Sequence, residues 1–241
     1  GAGRYAVTLR DGEGGRGGAR ILPPYAGTAD LYDALVGRYA FDLWRENFER
    51  LRLRYPIDMS LVADVACGTG LASRYLASRG AEVLACDISP HMLEAAARGT
   101  GEGGVRYFRQ DMRRFSLPRR VTLLVCATDA LNHLLEEEDV SRALKAFRAA
   151  LAEGGFALFD LNTVWQLREG GDGVPWSFEV EGYSMLWTSS WDEERALATL
   201  VMECRKGEGD TVVEVHRERG YDAGFILEEA KKAGFREVEV Y

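Results

Sequence analysis

Apolar positions along the chain alternate between short near-continuous runs and longer stretches with helical spacing. Leu61, Val62, Ala63 and Val65 make the first such run, broken only by Asp64, and it reads as a parallel strand covered on both faces. It breaks into Cys67-Gly68-Thr69-Gly70, where glycine permits a sharp turn and close approach to a ligand. A helix over Leu71 to Ser78, stopped by Gly80, and a strand over Ala81 to Ala85 that ends in Cys86-Asp87-Ile88 come next. Ser89-Pro90 caps a helix running to Arg98. Val105 to Phe108 is a third strand, followed by Gln110-Asp111-Met112, and Val121 to Cys126 a fourth, continuously apolar and therefore central. Glu136-Glu137-Glu138 opens a helix whose Val140, Leu144, Phe147 and Leu151 share one face, and Phe156 to Leu161 is a fifth strand.

Strands alternating with helices in this way predict a doubly wound, mostly parallel, Rossmann-like α/β sheet. After Asn162 the pattern changes. Tyr183 to Trp191, Ala196 to Cys204 and Thr211 to Arg219 are rich in aromatic and β-branched residues and predict antiparallel strands joined by hairpins. This insertion, residues 163–220, is expected to act as a lid over the carboxyl edge of the sheet. Phe225 to Ala233 then predicts a helix and Phe235 to Tyr241 a last strand, so the core spans residues 23–162 and 221–241.

Ahead of the core, residues 1–22 read as a flexible arm, with seven glycines among the first eighteen residues. Leu31, Leu35, Tyr39, Leu43 and Phe48 predict two short amphipathic helices between Thr28 and Tyr55. Tyr25, Tyr32 and Trp44 serve either as core or as a cap over a ligand pocket.

Composition narrows the partners. The chain has 241 residues, 46% of them hydrophobic, which is enough for one α/β domain with an insertion. Its formal charge of -8 works against passive attraction to nucleic acid or anionic lipid and favours a small-molecule substrate. With no run long enough to span a membrane and no basic-then-apolar leader, a cytoplasmic protein is expected. Four cysteines, Cys67, Cys86, Cys126 and Cys204, fit reduced structural thiols; no spacing suits a metal. The free edges of an antiparallel insertion leave a homodimer open.

The candidate chemistry lies along one sheet edge. Asp64, Asp87 and Asp111 end successive strands, and Asp87 follows the glycine turn by about 20 residues, where a carboxylate can reach the hydroxyls of a ribose held on that turn. The turn alone leaves a dinucleotide site open, with Ser73 as the third small residue.

Taken together, VADVACGTG (62–70), CDISPHML (86–93), RQDM (109–112), VCATDALNHL (125–134) and GGFALFDLN (154–162) resemble the class I S-adenosylmethionine-dependent methyltransferases. The chain looks most similar to small-molecule members with an antiparallel insertion, such as amino-sugar N-methyltransferases, also at Tyr32-Asp33 and from His216 to Tyr221. The resemblance implies S-adenosyl-L-methionine as cofactor, with Asp64, Ala66, Gly68 and Gly70 around its methionine portion and Asp87 on the ribose. Ile88 and Met92 would sandwich the adenine, Asp111 and Met112 would bond it, and Ala127 and Thr128 would line the sulfonium. Ala66 departs from the glycine many members carry.

Such a reaction needs alignment and, for an amine acceptor, a group to take a proton. Tyr32, His133 and His216 are the candidates, with Asp129 beside them. The alternatives are an RNA or protein methyltransferase, or a non-catalytic cofactor-binding regulator.

Overall fold

The computed structural model describes residues 18–101 and 104–241. Five strands form a parallel sheet: β2 (Leu61–Val65), β3 (Glu82–Asp87), β4 (Val105–Arg109), β5 (Val121–Cys126) and β6 (Leu151–Phe159). Their order is β4-β3-β2-β5-β6, so the chain runs outward from β2, then crosses back to build the other half. The apolar runs sit where continuous hydrophobicity requires, with Val62, Val65, Val83, Leu84, Leu123 and Leu124 fully buried.

Helices cover both faces. α1 (Arg38–Arg54) and α2 (Leu71–Ser78) place Trp44, Phe48, Ala72 and Leu76 on one side. α4 (Glu137–Ala150) and α6 (Ala223–Lys232) place Val140, Leu144, Phe147 and Ile226 on the other. α3 (Pro90–Gly99), capped by the Ser89 hydroxyl, which accepts from the Met92 amide, buries Met92 and Ala96. The crevice at the carboxyl ends of β2, β3 and β5 is where the strand order reverses, the usual ligand position in such sheets.

The insertion builds a second sheet in the order β1-β10-β9-β8-β7, from β1 (Ala19–Leu22), β7 (Trp176–Val180), β8 (Tyr183–Asp192), β9 (Leu197–Lys206) and β10 (Thr211–Arg219). The three expected strands are β8 to β10 and pair antiparallel. Their hairpins come with two differences at the sheet margins. Ala19–Leu22, read as part of the arm, pairs parallel with β10, from Ala19 opposite Thr211 to Leu22 opposite Glu214, because a free edge was there to be filled. The rest of the expected arm, residues 1–17, lies outside the described residues. β7 adds a fourth inserted strand, joined to β8 through Glu181-Gly182, both at positive φ.

Other expectations change. One helix of 17 residues replaces the two short ones, preceded by a π-helical turn at Asp33–Gly37. Its buried face is Trp44 and Phe48, stacked at 5.1 Å, while Tyr39 and Leu43 are exposed. Aromatic packing against Tyr75 of α2 decided the face, overriding the leucine periodicity. α5 (Val164–Gly170), for which no element was expected, forms on a capping box between Thr163 and Gln166. Phe235 to Tyr241 is not a strand: Phe235 and Val238 pack on the core and Val240 and Tyr241 stay exposed, leaving no apolar face to pair. No helix among the described residues is long and apolar enough to cross a membrane.

Candidate active site

A cavity of about 710 Å³ opens at the carboxyl ends of β2, β3 and β5. Eleven of the expected residues line it: Tyr32, Asp64, Ala66, Gly68, Asp87, Ile88, Met92, Met112, Ala127, Thr128 and His133.

Asp87 organises its floor. One carboxylate oxygen accepts from the Gly68 amide at 2.9 Å and the other from the Ser89 amide at 2.8 Å, so a single side chain fixes both turns. Burial raises the Asp87 carboxyl above its ordinary range, and those amides pull it back. Gly68 lies at φ +53°, and a Cβ added there would meet nothing within 4 Å, so the turn presents bare backbone to the cavity. Asp64 accepts from the Ser73 hydroxyl at 2.5 Å, and burial, with a smaller push from Asp87, raises its carboxyl to about 7. Ala66, Thr128 and Asp129 also adopt positive φ, so strained backbone clusters where the strands run out.

Gly70, Asp111 and His216 are not in this cavity. Gly70, at φ +80°, serves packing: a Cβ there would lie 2.6 Å from the Tyr107 hydroxyl. The Asp111 carboxylate is engaged by Arg113 at 2.6 to 3.0 Å, which holds it below the usual carboxylate range, and Arg113 also reaches Asp139 of α4. An ion pair within the same turn, braced by Asp139 of α4, thus engages the carboxylate expected at the adenine. His216 is turned toward Glu214, its Nε2 donating to that carboxylate at 2.9 Å.

Glu214 is the feature that sequence reasoning missed. Fully buried on β10, it accepts from the amides of Tyr25, Gly27 and Thr28 and from the Thr28 hydroxyl, at 2.6 to 3.1 Å. Burial alone would raise its carboxyl; the His216, Gly27, Thr28 and Tyr25 donors outweigh it and hold the group below its ordinary value. The clamp keeps Tyr25 at φ +65°, over the cavity. The Tyr25 hydroxyl lies 2.9 Å from His133 Nε2, and His133 Nδ1 lies 3.1 Å from the Arg217 carbonyl. A carbonyl only accepts, so Nδ1 carries a proton, and the tautomer with Nε2 bare lets the tyrosine hydroxyl donate to it. Tyr25 also meets the rings of Tyr32 at 5.8 Å and His216 at 4.7 Å.

Asn132 fixes the far wall. Completely buried, it donates to the carbonyls of Asn162 and Arg219 and accepts from the Asn162 amide, joining the ends of β5, β6 and β10. All four cysteines are free, and burial raises each thiol, Cys86 to about 12, which suits packing and not nucleophilic attack.

The sheet order, with a cavity at its carboxyl edge, is the Rossmann-like α/β fold of the class I methyltransferases. The methyltransferase-domain family matches residues 62–155, the stretch from β2 into β6. The chain is 28% identical over 217 residues to YqeM of Bacillus subtilis (strain 168), a methyltransferase by assignment only, covering 88% of this chain and 86% of that one. It is 31% identical over 134 residues to the dTDP-3-amino-3,6-dideoxy-alpha-D-glucopyranose N,N-dimethyltransferase of Streptomyces fradiae, covering 55% of this chain and about half, 52%, of that enzyme. Among solved structures, an S-adenosylmethionine-dependent methyltransferase from Clostridium acetobutylicum ATCC 824 superposes with a TM-score of 0.73 at 23% identity, over 87% of each chain.

Proposed function

We propose that this chain transfers a methyl group from S-adenosylmethionine to the nitrogen of a small-molecule amine, with Tyr25 and His133 as the route for the amine proton. The observation that carries the reading is the Tyr25 hydroxyl at 2.9 Å from His133 Nε2, on the wall of the cavity that Asp64, Gly68 and Asp87 floor. The nitrogen acceptor is supported by the Streptomyces fradiae relative, whose name specifies N,N-dimethylation of an amino sugar.

The residues present suit the cofactor. Asp87 keeps lone pairs for ribose hydroxyls after serving two amides, the bare turn at Gly68 admits the methionine portion, and Ile88, Met92 and Met112 offer apolar contact to the adenine. Bound there, S-adenosylmethionine supplies a methyl group already activated on a sulfonium, so the protein needs alignment and exclusion of water above all. An amine placed in line would attack the methyl through its lone pair, the N–C bond forming as the S–C bond breaks and the positive charge passing from sulfur to nitrogen. Its proton passes to the Tyr25 oxygen while the tyrosine hydroxyl proton moves to His133 Nε2. Burial raises the Tyr25 phenol well above its ordinary value, so the hydroxyl relays a proton and is not itself a standing anion. His216 acts at one remove, through Glu214 and the Tyr25 ring.

Tyr25→Phe should therefore lower kcat about 10²-fold, the low end for positioned proton transfer, with S-adenosylhomocysteine affinity within a factor of two or so. Steady-state kinetics alongside calorimetry checks this. Wild-type rates in both His133→Ala and His216→Ala would remove histidine from the mechanism.

Asp64 gives a pH signature. Its carboxyl, raised to about 7 in the free protein, must ionise to pair with the ammonium of the methionine portion. The protonated form is favoured in the folded chain, so this group's contribution to stability is full below the ordinary carboxylate range and is lost as pH rises through about 7. Cofactor affinity runs the opposite way, weakening as pH falls below about 7, and binding near pH 6 releases a proton. Calorimetry of S-adenosylhomocysteine in buffers of different ionisation heat measures that proton; Asp64→Asn should abolish the release.

A further inference from the structure

β10 separates two cavities. Val215 and Arg217 face the one described above, while His216 and Glu218, on the alternate positions, face a second of about 310 Å³ between α5 and the inserted sheet. The two meet at a short polar bridge. The Asn162 side-chain amide donates to Asp129 at 2.5 Å and to Glu218 at 3.1 Å, and Thr128, next to Asp129, already lines the cofactor cavity.

Charge and shape in the second cavity are one-sided. Glu218 is the sole acidic residue on its wall, and no lysine or arginine lines it. Neither Glu218 nor Asp129 has a lysine or arginine partner among the described residues. Burial and the neighbouring Glu218 and Asp160 raise the Asp129 carboxyl well above its ordinary range, which leaves Glu218 as the acidic group facing the cavity, with a neutral amide beside it and room for a cation. Beyond them the wall turns apolar and aromatic, through Leu200, Val174, Trp176 and Trp187. Trp187 carries a buried indole N–H without a hydrogen-bond partner, its ring held edge-on by Trp176 and Phe178 at 5.9 and 5.1 Å. Trp176 is 61% exposed, an apolar surface at the mouth that no other element covers well.

We infer that this second cavity is the acceptor subsite, and that it takes an amine on a flat apolar body, the body against Trp176 and Trp187 and the amine resting as its ammonium at Glu218 beside the cofactor cavity, where it gives one proton to that carboxylate before its lone pair attacks. The inference rests on the methyltransferase reading of the first cavity. It also sets the acceptor apart from a nucleotide-linked one: a diphosphate would meet a carboxylate and no cation here, and such burial without a partner is strongly unfavourable.

The experiment uses the full chain saturated with S-adenosylhomocysteine and 2-phenylethylamine as the probe, followed by saturation-transfer NMR and calorimetry. Saturable binding is expected, at least about tenfold weaker in Glu218→Gln, as a desolvated charge contact implies. Leu200→Trp, which fills the cavity and leaves every charge in place, should remove binding, and added dTDP should not displace the amine. Unchanged affinity in both variants, displacement by dTDP, or no binding of the amine to the loaded protein would each overturn the subsite. S-adenosylhomocysteine affinity measured in the same samples reports the first cavity and the folded state independently: if it is intact while the amine fails to bind, the subsite falls and the methyltransferase reading stands.

Discussion

Asp87→Ala should weaken S-adenosylhomocysteine binding by at least about 100-fold, the loss of two hydrogen bonds to a charged group at roughly 1.5–3 kcal/mol each. The loss has two parts. The ribose hydroxyls forfeit their acceptor, and the Gly68 and Ser89 amides, now held at 2.9 and 2.8 Å, are left without one, so the two turns drift apart before any ligand arrives. Asp87→Asn separates these, because the amide oxygen can keep one turn while its NH₂ faces the other with the wrong polarity. Calorimetry at fixed pH gives the affinity, and thermal melts without ligand show how much of the effect is structural. Affinity in Asp87→Ala within tenfold of the parent would mean that the ribose is not held there.

Glu214→Ala should be the most destabilising single change in the inserted sheet, by about 3–5 kcal/mol, the range for removing one partner of a buried charged network. The three amides of Tyr25, Gly27 and Thr28 lose their acceptor at once, as do the Thr28 hydroxyl and His216 Nε2. A lower denaturant midpoint at unchanged m-value is the expected result. Glu214→Gln, which keeps an acceptor oxygen and the shape, should recover part of the stability. Its kcat should remain depressed, because Tyr25 stays at φ +65° only while the clamp is complete. The carboxyl also sits below its ordinary value, so its contribution is present above the usual carboxylate range and lost as pH falls through the folded value.

Much of the cavity floor was legible because strand ends and glycine turns are local. A continuous apolar run, then Asp64 and Cys67-Gly68-Thr69-Gly70, specifies both the strand and the turn within ten or so residues of sequence. The same holds for Asp87 at the end of β3 and Thr128 past β5. What stayed hidden was set by distant partners. Asp111 looked like an adenine contact, and its carboxylate is engaged by Arg113, which Asp139 of α4 holds from the other side. Glu214 drew no notice within its strand, and only the crossing of residues 25–28, 186 or more positions away in sequence, makes it a clamp. Tyr25 was visible as surplus aromatic weight, but its link to His133 spans 108 positions. Two local signals went unused: Thr163 and Gln166 at capping-box spacing, and Glu181-Gly182 between alternating apolar residues.

The Asn132 side chain closes contacts 30 and 87 residues apart with a single amide group. Closing loops of that length costs entropy that is repaid only when both ends are nearly in place. The cavity, walled by segments from both halves of the chain, is complete only once this junction and the still longer Glu214 clamp have both closed.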